Sequence, residues 1–143
     1  MANPGPATTV TTNYQPVNSG QALVLIASIK GLPVSAAGDV AVPINGPTTN
    51  FVPTVVVTTN SSGSTVNIAA ATVGIYTQPS QGGTAVLTTA ALTGQTTNAF
   101  AYVRAATAVA AQVITSQPVL YVNIGTTVAN GITDLYLYGY NVS

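Results

Sequence analysis

Residues 132–140 read Ile-Thr-Asp-Leu-Tyr-Leu-Tyr-Gly-Tyr, with leucine and tyrosine alternating over residues 135–138. In a β-strand, successive side chains point to opposite faces of the sheet. Tyr136, Tyr138 and Tyr140 would therefore share one face, and the two leucines would share the other. This period of two predicts a strand whose leucine face enters a core and whose tyrosine face lies at a surface.

The rest of the chain continues this pattern of strands and turns. Val, Thr, Ile and Tyr favour strands, Gly, Asn, Ser and Pro favour turns, and no Glu is present to support a helix. The alanine-rich residues 105–111 are too short a stretch to change the class. Strands are predicted at residues 23–29, 39–44, 51–59, 65–70, 73–77, 84–88, 100–103, 112–115, 119–124 and 132–140.

Short strands separated by turns indicate an all-β fold, a β-sandwich or jelly-roll-like domain of about 8–10 strands. Pro53 predicts an edge position or a bulge in its strand. Asn130-Gly131 predicts a two-residue hairpin loop between the last two strands, because both central residues of that turn need positive φ.

The first 20 residues differ from the rest of the chain. They contain Pro4, Pro6 and Pro16 among Thr and Asn, with few apolar anchors. This composition predicts an extended N-terminal arm over residues 1–20, which a partner would hold in place. Residues 21–143 then form a single β-sandwich domain, since domains commonly hold about 100–150 residues.

Charged side chains are almost absent. Lys30, Asp39, Arg104 and Asp134 are the only ones in 143 residues, and the chain has no His and no Cys. Catalysis at neutral pH and metal binding usually depend on such groups, so we expect no enzyme, no metal and no cofactor. One Lys and one Arg are too few to bind a phosphate backbone, which argues against nucleic acid as a partner.

Two residue pairs leave a catalytic alternative open. Asp39 and Asp134 would form a carboxylate pair if the fold brought them together. The simpler interpretation is that Asp39 lies in a turn and that Asp134 ends a hairpin arm. Ser28 and Lys30 share one face of a predicted strand, as a Ser–Lys nucleophile pair would. A chance neighbour pair is the simpler interpretation.

No membrane association is expected. The longest apolar run, residues 22–27, is far shorter than the ~20 residues that cross a bilayer as a helix. The first six residues, Met-Ala-Asn-Pro-Gly-Pro, lack the basic and apolar regions of a secretion signal. The glycosylation sequon at Asn60-Ser61-Ser62 therefore carries little weight.

Three interpretations of the C-terminal tyrosines remain open. They form a cross-strand ladder that stabilises the sheet, a contact surface for another subunit, or a platform on which sugars stack. Prolines and a tyrosine of the arm would add contacts to a neighbouring subunit. The candidate interface residues are Pro4, Pro6, Tyr14, Pro16, Tyr136, Tyr138 and Tyr140.

A series of short motifs adds a family resemblance. In order along the chain, these are Gly-Asp at 38–39, Pro-Ile at 43–44, Val-Val-Val-Thr-Thr-Asn-Ser-Ser at 55–62, Gly-Ile-Tyr-Thr at 74–77, Gly-Gly-Thr-Ala at 82–85, Pro-Val-Leu-Tyr-Val at 118–122 and Thr-Asp-Leu-Tyr-Leu-Tyr-Gly at 133–139. Across residues 38–139 the chain resembles small all-β capsid cement or decoration proteins of tailed bacteriophages. The resemblance implies a non-enzymatic subunit that binds the outside of an icosahedral shell, often as a trimer.

The leading hypothesis is therefore a cement protein on the outer capsid surface of a virion. Its partners would be the major capsid protein and further copies of itself, with a trimer favoured. A chain this poor in charge lacks the repulsion that keeps free proteins apart, which suits a subunit inside an assembly. Two alternatives stay open: a receptor- or glycan-binding module of a phage fibre, and a surface-layer or pilus-type structural subunit.

Overall fold

Strands make up the fold, as the composition predicted. The computed structural model describes residues 23–46, 49–62, 65–97, 102–104 and 112–142, with residues 102–104 described by their backbone alone. These residues contain no helix, and hence none that is long and apolar enough to cross a bilayer. The strands are β1 (Leu23–Pro33), β2 (Gly38–Pro43), β3 (Phe51–Asn60), β4 (Thr72–Gln78), β5 (Gly82–Ala91), β6 (Tyr102–Arg104), β7 (Val119–Ile124) and β8 (Ile132–Asn141).

The eight strands form two antiparallel sheets of four strands each. The first sheet has the order β1-β8-β3-β6 and the second has the order β2-β7-β4-β5. The pairs β1·β8, β2·β7, β3·β6 and β4·β5 nest one within the next along the chain, as in a long hairpin that has been rolled up. This connectivity is that of a jelly roll, which confirms the predicted β-sandwich or jelly-roll-like class.

The core lies between the two sheets. Leu135 and Leu137 of β8 are 1% and 0% exposed, so the leucine face enters the core as predicted. Phe51 is its largest fully buried side chain, and the others are mainly branched aliphatic residues. Buried core residues include Ile26, Leu32, Val34, Val42, Phe51, Val56, Ile68, Val73, Ile75, Val86, Leu87, Leu120, Val122, Ile124, Leu135 and Leu137.

Two of the predicted strands are wrong. Residues 65–70 form turns, because the Asn67 side chain accepts a hydrogen bond from Ala69 N (3.0 Å) and bends the chain locally. Residues 112–115 contribute a single bridge, between Ile114 and Phe51. Each segment contains one buried isoleucine, Ile68 or Ile114, which packs in the core without belonging to a strand. An apolar residue in these segments therefore did not indicate a strand.

The predicted hairpin at Asn130-Gly131 is also wrong. Strand β7 pairs with β2 and β4, whereas β8 pairs with β1 and β3, so the connection passes from one sheet to the other. Asn130 has a positive φ of 59°, but Gly131 does not, and its N–H donates to Val128 O (3.0 Å) in a tight turn. The two strands do not pair with each other because each contributes to a different wall of the core.

Pro53 lies at a bulge, as predicted for it. The register between β3 and β8 shifts between Pro53 and Val55. Among the described residues, β6 pairs with β3 only at residues 57–59, so Pro53 has a ladder partner in β8 and none in β6. The predicted N-terminal arm over residues 1–20 and the alanine-rich residues 105–111 lie outside the described residues.

Candidate functional site

The outer face of the first sheet carries a continuous apolar and aromatic surface. Its central row comes from β8, and rows from β3 and β1 lie on either side in register. We call this surface the tyrosine face. It consists of Tyr136, Tyr138 and Tyr140 of β8, Val52, Val55 and Val57 of β3, and Leu23, Leu25 and Ser28 of β1.

The tyrosine face is open to solvent to different degrees along its length. Tyr136 and Tyr138 are half-buried, and each lies in register between a residue of β1 and a residue of β3. Such cross-strand pairs stabilise a sheet. Leu23, Leu25 and Tyr140 are 48%, 36% and 38% exposed, so apolar side chains lie uncovered at one end. Exposed apolar residues grouped in this way mark interaction sites more often than isolated ones do.

Two β-bulges position the centre of the face. Tyr138 lies opposite Leu25 in β1 and Val55 in β3, and each neighbouring strand has a register shift beside that position. One shift accommodates Ile26, which turns into the core, and the other accommodates Thr54. Bulges increase the local twist and re-aim side chains. The two bulges therefore influence how the side chains around Tyr138 are oriented.

Gly139 allows the backbones to approach at the same level. It pairs with Pro53 in β3, and a Cβ atom built on it would overlap Val52 O and lie 3.1 Å from Pro53 Cα. No larger residue fits there without displacing the β3 backbone. The Tyr-Gly-Tyr sequence at 138–140 thus combines two outward-facing rings with the close backbone contact between them.

Charge is absent from the nine residues of the tyrosine face. Asp134 of β8 lies beyond Tyr136, and its Oδ1 accepts a hydrogen bond from Gly31 N (2.7 Å) in β1. Arg104 of β6 occupies the register position opposite Val57. A partner surface facing these nine residues therefore needs no matching charge.

The outer face of the second sheet also carries tyrosines, Tyr76 and Tyr121, but it differs by a network of polar side chains. Asp39 Oδ1 accepts a hydrogen bond from Asn123 Nδ2 (2.8 Å), and Asp39 Oδ2 accepts one from Ser80 N (2.8 Å). Gln81 Nε2 donates to Asn123 Oδ1 (2.9 Å). These bonds connect β2, β7 and the turn between β4 and β5, so the polar groups satisfy one another within the fold.

A tyrosine on this second face also has internal partners. The Tyr76 hydroxyl and Thr89 Oγ1 are 2.8 Å apart, and Thr89 N donates to the same hydroxyl at 3.2 Å. Gly74 leaves room for the ring, because a Cβ there would lie 2.7 Å from Tyr76 Cε2. Tyr76 is 7% exposed and is a structural residue of the second sheet.

The structure brings together three of the seven predicted interface residues. Tyr136, Tyr138 and Tyr140 form the central row of the tyrosine face. The other four lie outside the described residues: Pro4, Pro6, Tyr14 and Pro16. Sequence reasoning missed the flanking residues of β1 and β3, because outward-facing Val and Leu cannot be told from core residues by residue type.

The fold does not bring the two carboxylates together. Asp39 lies in β2 and Asp134 in β8, in different sheets, and each accepts hydrogen bonds within the fold. Asp39 is the second residue of β2 and so does not lie in a turn, and Asp134 is the third residue of β8, which forms no hairpin with β7. Ser28 lies opposite Tyr136, and Lys30 is exposed beside a register shift of β1. Across the described residues, no three His, Cys, Asp or Glu side chains are grouped as metal ligands.

The sequon at Asn60 is closed by its surroundings. Asn60 is 1% exposed, and its Nδ2 donates to Val66 O (2.7 Å) and Thr96 O (2.8 Å). That nitrogen is the atom to which a glycan would be attached. Burial and two hydrogen bonds leave it inaccessible in the folded chain.

Hydrogen bonding lowers the pKa of the Asp39 carboxyl below its usual value, first through Asn123 and then through Ser80, while desolvation opposes the effect. A lowered folded pKa contributes stability above the unfolded pKa, and this contribution is lost as the pH falls through the folded value. Because the chain has no His, we expect the melting temperature to stay nearly constant between about pH 5 and 9 and to fall below about pH 4.

Melting curves followed by circular dichroism over a pH series measure this dependence. An Asp39→Asn variant should show a smaller drop below about pH 4, since the titrating group is removed. A drift of more than about 5 °C between about pH 5 and 9 would contradict the account of a fold held by packing.

Comparison of the chain with known protein families, with curated proteins and with solved structures found no match.

Proposed function

We propose that the protein is a structural subunit of a bacteriophage virion, which binds the outer surface of the capsid through the tyrosine face and stabilises the shell. The observation that carries this proposal is the contrast between the two outer faces. The tyrosine face is uncharged and mainly apolar or aromatic, whereas the outer face of the second sheet carries a hydrogen-bonded polar network around Asp39 and Asn123. One face is suited to burial against a partner and the other to contact with solvent.

The chemistry of the tyrosine face supports a protein partner. Tyrosine is enriched at protein interfaces, because its ring supplies a large contact area and its hydroxyl remains able to hydrogen-bond. Charged residues are depleted at interface centres, and the tyrosine face has none. The major capsid protein would present a complementary apolar patch, which is repeated over the shell.

The size of the face supports binding at several points. Three strands about 4.8 Å apart and some six residues at about 3.4 Å each cover an area of roughly 200–300 Å². A stable interface buries about 800 Å² on each partner. A single tyrosine face is therefore a weak contact, and an oligomer, with a trimer favoured, would gain strength by engaging several repeated sites together.

The jelly-roll connectivity is compatible with this role. Viral capsid proteins and lectins both use double-sheet jelly rolls. Fold alone does not assign a function, so the connectivity supports a virion subunit and a sugar-binding module equally. The uncharged flanks of Val and Leu favour the virion subunit, since they offer a sugar few hydrogen-bonding groups.

A binding assay with undecorated capsids tests the proposal. Purified protein is added to the capsids, bound copies are separated by sedimentation, and the number per shell is measured at increasing concentration. We expect saturation at a fixed number of copies and little change in affinity between low and high salt, because the contact is uncharged. Absence of binding at micromolar protein would contradict the proposal.

The tyrosine row also supports a second candidate, a glycan-binding module of a phage fibre. Three tyrosine side chains on one strand offer rings for sugar stacking. A glycan array distinguishes the two functions. A capsid subunit should show no binding above background, whereas specific binding that is lost when Tyr138 is replaced would favour the fibre module.

A further inference from the structure

The chain contains two Asn-Gly sequences, Asn45-Gly46 and Asn130-Gly131, in different surroundings. We infer that Asn45 is a site of spontaneous deamidation in the folded protein, whereas the fold protects Asn130. The inference is independent of the proposed function. It follows from the space and hydrogen bonding around the glycine that supplies the attacking nitrogen.

The reaction needs only water as a co-reactant. The backbone nitrogen of the glycine loses its proton and attacks Cγ of the preceding asparagine. The new N–Cγ bond closes a five-membered succinimide, and the Cγ–Nδ2 bond breaks to release ammonia. Water then opens the ring at either carbonyl, which gives aspartate or isoaspartate and adds one negative charge.

Gly46 has room for this ring closure. Asn45 and Gly46 follow β2 closely and are both exposed, and Gly46 has a φ of 75°. Apart from its chain neighbours, no described residue has an atom within 4 Å of a Cβ built on Gly46. Within the described residues, the Gly46 N–H donates no backbone hydrogen bond. Asn45 itself is anchored through its own N–H, which donates to Ile26 O (2.7 Å). The nucleophile is therefore accessible while the asparagine backbone is held in place.

Gly131 is enclosed. Its N–H donates to Val128 O (3.0 Å), and its carbonyl accepts a hydrogen bond from Val34 N (2.9 Å). A Cβ at Gly131 would lie 2.7 Å from Val34 Cγ2 and 2.9 Å from Ile68 Cγ2. Attack on Asn130 Cγ requires this N–H to leave its partner and the peptide to rotate against buried side chains. Both requirements depend on local opening of the fold.

The consequence is a change of charge on a chain that has almost none. The formal net charge is zero, with two cationic and two anionic side chains. One deamidation makes the net charge −1. The modified residue would lie beside Ile26, next to Leu25 of the tyrosine face. An ageing preparation should therefore separate into charge forms during isoelectric focusing.

Peptide mapping tests the inference directly. Lys30 and Arg104 are the only tryptic sites, so digestion gives peptides 1–30, 31–104 and 105–143, and the two asparagines fall on different peptides. Folded protein is incubated in mildly alkaline buffer and sampled by mass spectrometry. We expect peptide 31–104 to deamidate at least about tenfold faster than 105–143, because the second reaction waits for local opening.

Two controls make the result decisive. An Asn45→Gln variant should remove the fast reaction from peptide 31–104, which contains other asparagines. In urea, both peptides should react at similar rates, since the difference arises from the fold. Equal rates in the folded protein, or a fast reaction that persists in the Asn45→Gln variant, would overturn the inference.

Discussion

A Tyr138→Lys variant is expected to bind undecorated capsids at least about 30-fold more weakly than the unmodified protein while retaining its fold. Tyr138 lies at the centre of the tyrosine face, between Leu25 and Val55. Central aromatic residues commonly contribute 2 kcal/mol or more to an interface, and about 1.4 kcal/mol corresponds to tenfold in affinity. A lysine there would also place an ammonium group in an apolar contact, which is unfavourable.

The matched control is Tyr121→Lys on the other sheet. Tyr121 and Tyr138 are both half-buried, and each lies in a strand with neighbours on both sides. Losing the cross-strand contacts of either ring should cost about 0.2–1 kcal/mol of stability. Circular dichroism should therefore show folded protein for both variants. The proposal is contradicted if Tyr138→Lys binds normally or if Tyr121→Lys loses as much affinity.

A Gly139→Val variant is expected to lose about 3–5 kcal/mol of the free energy of unfolding, a large part of the 5–15 kcal/mol typical of a domain. Any side chain at this position overlaps the carbonyl oxygen of Val52. The obstacle is backbone, and β3 pairs with β8 from Phe51 to Asn60, with one register shift between Pro53 and Val55. Neither strand can shift without breaking the ladder that holds the tyrosine face.

Urea denaturation followed by circular dichroism measures this loss. Gly46→Ala is the control, because no described residue beyond its chain neighbours lies within 4 Å of a Cβ built there, although its φ is 75°. That substitution should cost only about 1 kcal/mol, from backbone strain alone. If Gly139→Val were no more destabilised than Gly46→Ala, the close approach of β3 to β8 would be incorrect.

Local sequence patterns predicted most of the strands. The alternation of leucine and tyrosine at residues 135–138 predicted the two faces of β8 correctly, because it depends only on the geometry of a single strand. Pro53 marked a bulge for an equally local reason, since proline cannot donate to the ladder. The errors at residues 65–70 and 112–115 arose where one buried isoleucine anchors an irregular segment.

Local patterns could not predict which strands pair with each other. Asn130-Gly131 resembles a hairpin loop, yet the strands on either side of it belong to different sheets. In the jelly-roll connectivity, β7 and β8 lie in opposite sheets, and the apolar face of each strand is buried between the sheets. A turn preference depends on a few neighbouring residues and does not include this burial. For the same reason, the sequence could not predict whether Asp39 and Asp134 lie close together. The structure places them in different sheets.

By itself, the sequence determined that this protein is an all-β domain with almost no charge and a tyrosine row on one face of its last strand. Those properties follow from composition and from a period of two within single strands. The tertiary structure alone decided that Val and Leu from β3 and β1 flank that row, and that the polar network lies on the opposite side. Which face a valine covers depends on the strand beside it, and neighbours in a sheet are chosen by packing across the whole fold.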